Sequence, residues 1–331
     1  MGSYTEEAAR QRALTSGNSA RGDLLRMATL AANGHNTQPW MFRFGKDKVS
    51  ILPDFTRRTE VVDPDDHHLF VSLGCAAENL IIAAQPLGWQ ATAVTNGTQI
   101  DVMLASAKAA KSDLRQAIPL RQSTRSEYDG QQVSASDIAL LKSAASQEGV
   151  SVLFFTDRDA REDILEFVVE GNSAQMDDPA FVQELRNWIR FTPDQAMQNG
   201  DGLFAACSGN PVVPGWIAER MFGLMFKKRT ENDKYRNHIR SSAGVAVFVG
   251  NREDPEHWIK VGQSFQRFAL QATVLGIRNA HINQPIEVPR LRGEFARWLK
   301  MPDTRPDLIV RFGRAPALPM SLRRPVADVT V

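Results

Sequence analysis

Hydrophobic positions follow two kinds of pattern along the chain, and these patterns predict its elements. Apolar residues at near-helical spacing predict helices over 23–32, 69–87, 134–145, 179–191, 214–228, 256–276 and 288–299. Short apolar blocks predict strands over 40–44, 49–52, 90–95, 99–104, 150–155, 243–250, 278–282 and 308–313. Because helices and strands do not alternate one by one, the pattern favours an α+β fold over a doubly wound parallel sheet.

Two segments of the sequence repeat one arrangement. Residues 74–80 and 262–268 each begin with a glycine that opens a helix. The first helix ends at Leu87-Gly88, the second at Leu275-Gly276, and a predicted strand follows each. Since joints of this kind are common, the similarity is only a weak indication of an internal duplication.

Composition narrows the class of protein. The chain has 331 residues, of which 43% are hydrophobic and 23% charged, and its formal net charge is +1. A near-neutral charge provides no broad basic surface for nucleic acid, and no apolar run reaches the ~20 residues of a membrane helix. Cys75 and Cys207 fit neither a disulfide scaffold nor a zinc spacing. The composition indicates a globular protein that can bury its own core.

The string Asn33-Gly34-His35-Asn36-Thr37-Gln38-Pro39-Trp40 is the most informative part of the sequence. It places polar and turn residues between a predicted helix and a predicted strand. One interpretation is a helix C-cap and an ordinary loop, which the composition favours. The other is a ligand site, in which side-chain amides and backbone N–H groups surround a polar planar molecule.

Two basic strings are candidates for binding an anion. Arg121-Gln122-Ser123-Thr124-Arg125 offers two guanidiniums and a hydroxyl, a set able to hold a phosphate through charge-assisted bonds. The alternative is a solvated basic turn. Arg323-Arg324-Pro325, near the C-terminus, is by itself a tail.

Other polar groups give weaker indications. The adjacent histidines His67 and His68 raise the question of a metal site. The side chains of neighbouring residues on a helix point ~100° apart, so we expect none. His281 ends a predicted strand, where it either has an ordinary partner or lines a pocket. The sequence contains no nucleophile motif, Walker A motif or dinucleotide fingerprint.

Taken together, these strings resemble motifs of the nitroreductase superfamily of flavin proteins. The run 33–40 is similar to that family's Ser/Gly-x-Asn-x-Gln-Pro-Trp motif, and 121–125 to its Arg-x-Ser-x-Arg motif. The segment 276–285 resembles the loop beside the flavin ring, and 323–325 the C-terminal phosphate-binding pair. The resemblance covers roughly 23–105, 119–155 and 243–331.

The order of the motifs resembles the fused tandem (Acg-like) FMN-binding subfamily, in which two nitroreductase-like halves form one chain. The resemblance implies a nitroreductase-like fold with two fused halves of helices around mixed or antiparallel sheets. The first half would span 23–118 and the second 119–331, with a helical insertion, or lid, over about 171–240. Because each motif occurs once, the resemblance implies one flavin site and not two.

The resemblance also implies the cofactor, FMN, and the residues around it. Arg121, Ser123 and Arg323 would hold the phosphate, and Arg125 would lie near the N1/O2 edge of the ring. The full predicted set is Asn33, Gly34, His35, Asn36, Gln38, Arg121, Gln122, Ser123, Arg125, His281, Asn283, Gln284, Arg323 and Arg324. No catalytic side chain is expected, since flavin N5 carries the chemistry.

The implied activity is ping-pong electron transfer from NAD(P)H through FMN to a nitro, quinone or similar acceptor. An alternative is FMN storage, with the insertion covering the flavin and little turnover. The insertion's large apolar residues are the basis for this alternative: Trp188, Phe191, Phe204, Trp216, Met221, Phe222 and Phe226.

The expected partners are a small-molecule electron donor and an acceptor, with no nucleic acid and no membrane span. A monomer is expected, because fusion supplies within one chain the contacts that two subunits otherwise make. Met1-Gly2-Ser3 resembles a cloning remnant, and similar family members carry twin-arginine leaders. We therefore expect export to the periplasm, with a cytoplasmic protein as the alternative.

Overall fold

The computed structural model describes residues 1–13, 20–212, 214, 215 and 226–331. Its helices are α1 (Gly2–Arg12), α2 (Ala20–Thr29), α3 (His67–Ala84), α4 (Asp113–Ala117), α5 (Ala135–Ala145), α6 (Arg158–Asp177), α7 (Pro179–Trp188), α8 (Pro193–Asn199), α9 (Lys228–Arg240), α10 (Pro255–Val274), α11 (Gln284–Glu287) and α12 (Pro289–Trp298). Its strands are β1 (Trp40–Phe44), β2 (Lys48–Pro53), β3 (Trp89–Asn96), β4 (Gln99–Ser106), β5 (Val150–Phe155), β6 (Ile189–Arg190), β7 (Leu203–Phe204), β8 (Gly244–Gly250), β9 (Arg278–His281) and β10 (Pro306–Gly313).

Two four-stranded antiparallel sheets form the framework, so the predicted α+β class is confirmed. The first sheet has the order β1-β2-β4-β3 and the second β5-β8-β10-β9. Helix α3 covers one face of the first sheet, while alternate residues of β3 stay exposed on the other. In the second sheet β8 is buried along its whole length, because helices pack on both faces.

The side-chain alternation of β8 shows how the second sheet divides the core. Val245, Val247 and Val249 point into a cluster with the apolar side of α6, whereas Ala246 and Phe248 point into the main core with α10. The main core continues to Trp40 and Phe42 of the first sheet, so one apolar cluster joins both sheets.

Helices α3 and α10 cross at the centre of the molecule with almost no side chain between their backbones. A Cβ atom added to Gly74 would lie 2.1 Å from the carbonyl oxygen of Ile259, and one added to Gly262 would lie 2.0 Å from that of Val71. These are the glycines that open the two repeated segments, and each faces the residue three positions before the other. The crossing is therefore reciprocal, as expected for two related halves.

The long apolar stretch of the chain is a core helix. Residues 67–87 are apolar and long enough to cross a membrane by composition alone, yet 83% of the most apolar window is buried inside the protein. Its start is capped by Asp63, whose carboxylate accepts the backbone N–H groups of His68 and Leu69 at 3.0 Å.

The segment between β5 and β8 differs most from the sequence prediction. Helices α6 and α9 were not predicted, although Ile164, Leu165, Val168 and Val169 of α6 follow helical spacing and are buried. Helix α7 ends at Trp188, before the predicted limit of 191. The helix predicted over 214–228 lies largely outside the described residues, as do Trp216, Met221 and Phe222. Helices α6 and α9 belong to the core of the second sheet. The limit at 171 therefore falls inside a core helix, and the range 171–240 includes the whole of α9.

Candidate functional site

The loop 33–38 has an unusual backbone conformation. His35, Asn36 and Gln38 have φ values of 47°, 56° and 53°, in the left-handed region that side chains other than glycine rarely adopt. Asn33 stabilises this shape, because its Oδ1 atom accepts the backbone N–H of Gln38 at 2.9 Å. Such strain is retained where surrounding contacts fix it, and it is often found at ligand sites.

The amides of this loop hold it in place. Asn36 donates to the carbonyl oxygens of Gly202 and Leu322 at 3.1 and 3.2 Å. Gln38 is fully buried and donates to the carbonyl oxygen of Gly200 at 2.9 Å. The two residues therefore connect the loop to the 200–202 turn and to the C-terminal segment. Neither is among the cavity-lining residues described next, so the structure gives both an anchoring position.

A cavity of about 540 Å³ lies beside the loop, within the usual range for a small-molecule site. Half of the predicted site residues line it: Asn33, Gly34, His35, Arg125, His281, Asn283 and Gln284. The first three come from the first half of the chain and the others from the second. The cavity thus brings together the motifs that the sequence places far apart.

Arg125 is one of two cationic side chains that line this cavity, and Lys234 is the other among the described residues. The segment 121–125 runs along the edge of β9, where the N–H of Thr124 donates to the carbonyl oxygen of Asn279 at 2.9 Å. Burial lowers the pKa of Arg125, which nevertheless stays charged near neutrality. Within the described residues no carboxylate forms an ion pair with it. The cavity therefore presents a buried positive charge to whatever binds there.

Two histidines at the same end are neutral. Burial, and then the charge of Arg125, lower the pKa of His35 to about 4 and that of His281 to about 3. Nδ1 of His281 and Oε1 of Gln284 are buried and have no hydrogen-bond partner within the described part of the chain. Gln284 is fixed by close packing of α6, since a Cβ atom added to Gly171 would lie 2.7 Å from its backbone. The wall therefore offers hydrogen-bonding atoms that a polar ligand can satisfy.

Arg121 and Arg323 lie behind the loop and not at the cavity wall. Arg121 Nη2 donates to the carbonyl oxygen of Leu30 at 3.1 Å. Arg323 donates to the carbonyl oxygen of Thr29 at 2.7 Å and to Oδ1 of Asn36 at 2.8 Å. Neither forms an ion pair with a described carboxylate, and Nε of Arg121 has no partner among the residues described. This donor set fits an anionic group such as a phosphate.

The other predicted residues have different surroundings. Gln122 exchanges hydrogen bonds of 2.7 and 2.9 Å with the backbone of Leu318, and Ser123 forms a bridge with the start of β9. Arg324 faces Asp54 at 3.5 Å, away from Arg121. The sequence places Arg324 in a phosphate-binding pair with Arg323. In the structure the two side chains lie apart, because the carboxylate of Asp54 attracts the side chain of Arg324.

The cavity also contains residues that the sequence analysis missed. Glu287 lies 3.9 Å from Nδ1 of His68 and accepts a bond of 2.7 Å from Gln175, which α6 supplies. Burial raises the pKa of Glu287. No motif marks these side chains, and only the three-dimensional packing of α6 against α11 brings them together.

The His67-His68 pair is closer than its helical spacing suggested. The two ring centroids are 4.6 Å apart, and ligand atoms of Asp63, His67 and His68 lie within 4.8 Å of one another. Asp63 already caps α3, and Nε2 of His67 bonds Oδ1 of Asp307 at 2.7 Å. We therefore assign these groups to the structure of the helix start.

Apolar side chains of the 178–226 region cover the cavity. They are Phe181, Leu185, Ile189, Phe191, Leu203 and Phe226. Of the lid residues predicted from the sequence, Phe191 and Phe226 line the cavity. Phe204 instead packs against Tyr4 of α1 at 4.6 Å, and Trp188 lies beneath the guanidiniums of Arg57 and Arg190.

Comparisons with known proteins agree with the motifs. No protein-family model matches the chain. Two relatives from Mycobacterium tuberculosis, strains CDC 1551 / Oshkosh and ATCC 25618 / H37Rv, each bear the name "Putative NAD(P)H nitroreductase". Each is 24% identical over 335 aligned residues, which cover 92% of this chain and 89% of the relative.

Among solved structures, the chain is similar to the FMN-dependent nitroreductase NfnB from Mycobacterium smegmatis in complex with NADPH (14% identity, TM-score 0.45, 66% of this chain and 97% of that chain). It is also similar to a nitroreductase with bound FMN from Bacteroides fragilis (16% identity, TM-score 0.41, 67% of this chain and 99% of that chain). The sequence similarity to the M. tuberculosis proteins, over nearly the whole chain, confirms that this protein is related to the nitroreductase superfamily.

Proposed function

We propose that the protein is an FMN-dependent oxidoreductase of the nitroreductase type, with one FMN per chain bound between its two halves. The observation that carries this proposal is the cavity in which the strained loop 33–38 faces Arg125 and the unpartnered atoms of His281 and Gln284. The names of the relatives support the nitroreductase activity, and the FMN bound in a similar solved structure supports the cofactor.

The chain's own residues would hold the cofactor in three ways. Arg121, Ser123 and Arg323 would bind the phosphate, and the loop 33–38 would pack beside the ring. Arg125 would supply a fixed positive charge, which favours the reduced, more negative state of a bound flavin. When bound, FMN supplies hydride and electron transfer, so the protein needs only to bind, orient and exclude water.

We further propose a ping-pong order, in which a nicotinamide donor leaves before a nitro, quinone or similar acceptor enters. Apolar side chains line part of this cavity, so the donor and the acceptor would use the same surface in turn. A planar aromatic acceptor suits this lining, since apolar side chains such as Phe181 and Leu185 and polar side chains such as Asn33 and Asn172 line the same cavity.

The test is an absorption spectrum of the purified protein before and after adding NADPH without oxygen. The expected result is a flavin spectrum that bleaches with NADPH and returns when a small quinone is added. Arg125→Gln should retain the flavin but bleach more slowly, because the fixed charge is lost. A protein that takes up no flavin when incubated with FMN would contradict the proposal.

A further inference from the structure

A third arginine, which is half-buried and belongs to no motif, lies beside Arg121 and Arg323. Arg12, the last residue of α1, donates from Nη2 to the carbonyl oxygen of Ser321 at 2.6 Å. The preceding residue, Gln11, bonds both the backbone N–H and the carbonyl oxygen of Arg323, at 2.7 and 3.1 Å. Helix α1 is thus attached to the chain at the position of Arg323.

The three guanidiniums are linked through shared acceptors. The carbonyl oxygen of Ser321, which accepts from Arg12 at 2.6 Å, also lies 3.5 Å from Nη1 of Arg323. Nη2 atoms of Arg121 and Arg323 share the carbonyl oxygen of Leu30, at 3.1 and 3.5 Å. Burial lowers the pKa of Arg121 and of Arg12 to about 10, and it lowers that of Arg323 further. Arg12 lowers the pKa of both other arginines by direct repulsion, so the three charges act on one another.

No described carboxylate forms an ion pair with any of these arginines. Their acceptors are backbone carbonyl oxygens and the amide oxygen of Asn36, which carry no net negative charge. Buried charges without a counter-ion are costly, and three of the same sign more so. An anion that enters this group removes the cost, and the unpartnered Nε of Arg121 gives it a hydrogen-bond donor.

We propose that Arg12 is the third guanidinium of an anion site formed with Arg121 and Arg323, and that its ligand is a phosphate monoester. This proposal rests on the proposed function in one respect, since the phosphate would be that of FMN. The resemblance to nitroreductases supplies Arg121 and Arg323 only. Helix α1 would accordingly close over the phosphate end of the cofactor, and its docking would slow cofactor release.

The test measures how tightly flavin-free variants of the protein bind FMN, riboflavin and phosphate, and it does not depend on catalytic activity. Arg12→Ala removes the charge, Arg12→Gln keeps an N–H donor for Ser321, and Arg10→Ala is the matched control on the same helix. Arg10 is 79% exposed and pairs with Glu7. FMN and riboflavin are titrated by quenching of flavin fluorescence, and stabilisation by inorganic phosphate is measured by thermal unfolding.

We expect Arg12→Ala and Arg12→Gln to weaken FMN binding by about 10- to 100-fold, the size of one lost charge-assisted bond. Riboflavin affinity should change less than about twofold, and stabilisation by phosphate should disappear. Arg10→Ala should match the wild type. Equal weakening of FMN and riboflavin, or no weakening of either, would overturn the assignment of Arg12.

Failure of the proposed function gives a different result. If the wild type binds neither flavin, the FMN proposal fails. Phosphate stabilisation that still requires Arg12 would then support the anion site alone, whereas its absence in the wild type would overturn the anion site as well.

Discussion

At the scale of single residues, the proposed site depends on buried side chains whose protonation the surrounding protein determines. Four described histidines have lowered pKa values because burial disfavours their charged form: His35, His67, His238 and His281. His35 and His281 therefore line the cavity as neutral side chains, beside the charged side chain of Arg125. The pair His67–Asp307 allows this description to be tested, since both partners titrate.

Burial raises the pKa of Asp307 to about 7 and lowers that of His67 well below its usual value. Between about pH 4 and 6.5, the folded pair holds one proton on Asp307, and the unfolded chain holds one on His67. The raised pKa of Asp307 makes the free energy of unfolding fall as pH rises. The lowered pKa of His67 makes it fall as pH drops. Between about pH 4 and 6.5 the two effects cancel.

Asp307→Asn should remove this cancellation. The free energy of unfolding of the variant, relative to the wild type, should fall as pH drops below about 6.5, by up to ~1.4 kcal/mol per pH unit. Urea unfolding of both proteins between about pH 5 and 7 measures it. A constant difference across this range would contradict the assigned protonation of the pair.

At the scale of elements, the crossing of α3 and α10 determines how the halves meet. Gly262→Ala would place a methyl group 2.0 Å from the backbone oxygen of Val71, so the helices must separate. We expect a loss of about 3 kcal/mol or more in the free energy of unfolding, as for other overpacked cores. Chemical denaturation measures this loss.

Gly293→Ala is the matched control, because its new methyl group would meet only the flexible end of Arg297 at 3.8 Å. Within helix α12, this change should be neutral or stabilising by up to ~1 kcal/mol. If Gly262→Ala were equally tolerated, the close helix crossing would be wrong.

Helix α7 is the element best placed to act as a lid. Phe181 and Leu185 line the cavity, yet no residue of α7 is buried, so the helix is held loosely. Deleting the whole insertion is a poor test, because the 200–202 turn anchors Asn36 and Gln38.

Replacing both Phe181 and Leu185 with alanine should open the cavity without loss of the fold. Flavin reduction by NADPH should become faster, and FMN retention weaker, if lid motion limits access. Stopped-flow absorbance measures this rate, with Gln183→Ala on the exposed side of α7 as the control. Unchanged kinetics would place the limiting step elsewhere. A wild type that NADPH scarcely reduces, beside a fast double variant, would favour the storage alternative.

Much of the element pattern could be predicted from the sequence, because strands such as 40–44 and 150–155 carry their own apolar signal. The loop 33–38 was identified as a candidate, but its left-handed backbone could not be, since only tertiary contacts impose that strain. Arg12 and Glu287 were missed for a similar reason: each is isolated in sequence and gains its role from helices that pack against it.

At the scale of the whole molecule, the two segments that we propose as halves, 23–118 and 119–331, are alike in framework and unlike in chemistry. Each half has a four-stranded antiparallel sheet and a long central helix. The Asn-x-Gln-Pro-Trp string occurs once, in the first half, and the Arg-x-Ser-x-Arg string once, in the second. This asymmetry supports the proposal of a fused pair of halves with one cofactor site.

The proposed site takes its residues from both halves of one chain, so it would require no partner subunit. We expect a monomer of 36.8 kDa that keeps its flavin on dilution. Sedimentation velocity, followed at both protein and flavin wavelengths, tests this expectation. A dimer that loses flavin as it dissociates would show that the site is shared between chains.

The proposed site holds one FMN between the two halves. The ratio of released flavin to protein tests this stoichiometry. The protein is saturated with FMN, freed of excess and denatured, and the released flavin is identified and measured against protein concentration. We expect about one equivalent of FMN per chain, because the sequence contains a single copy of each motif. Two equivalents, or none, would contradict it.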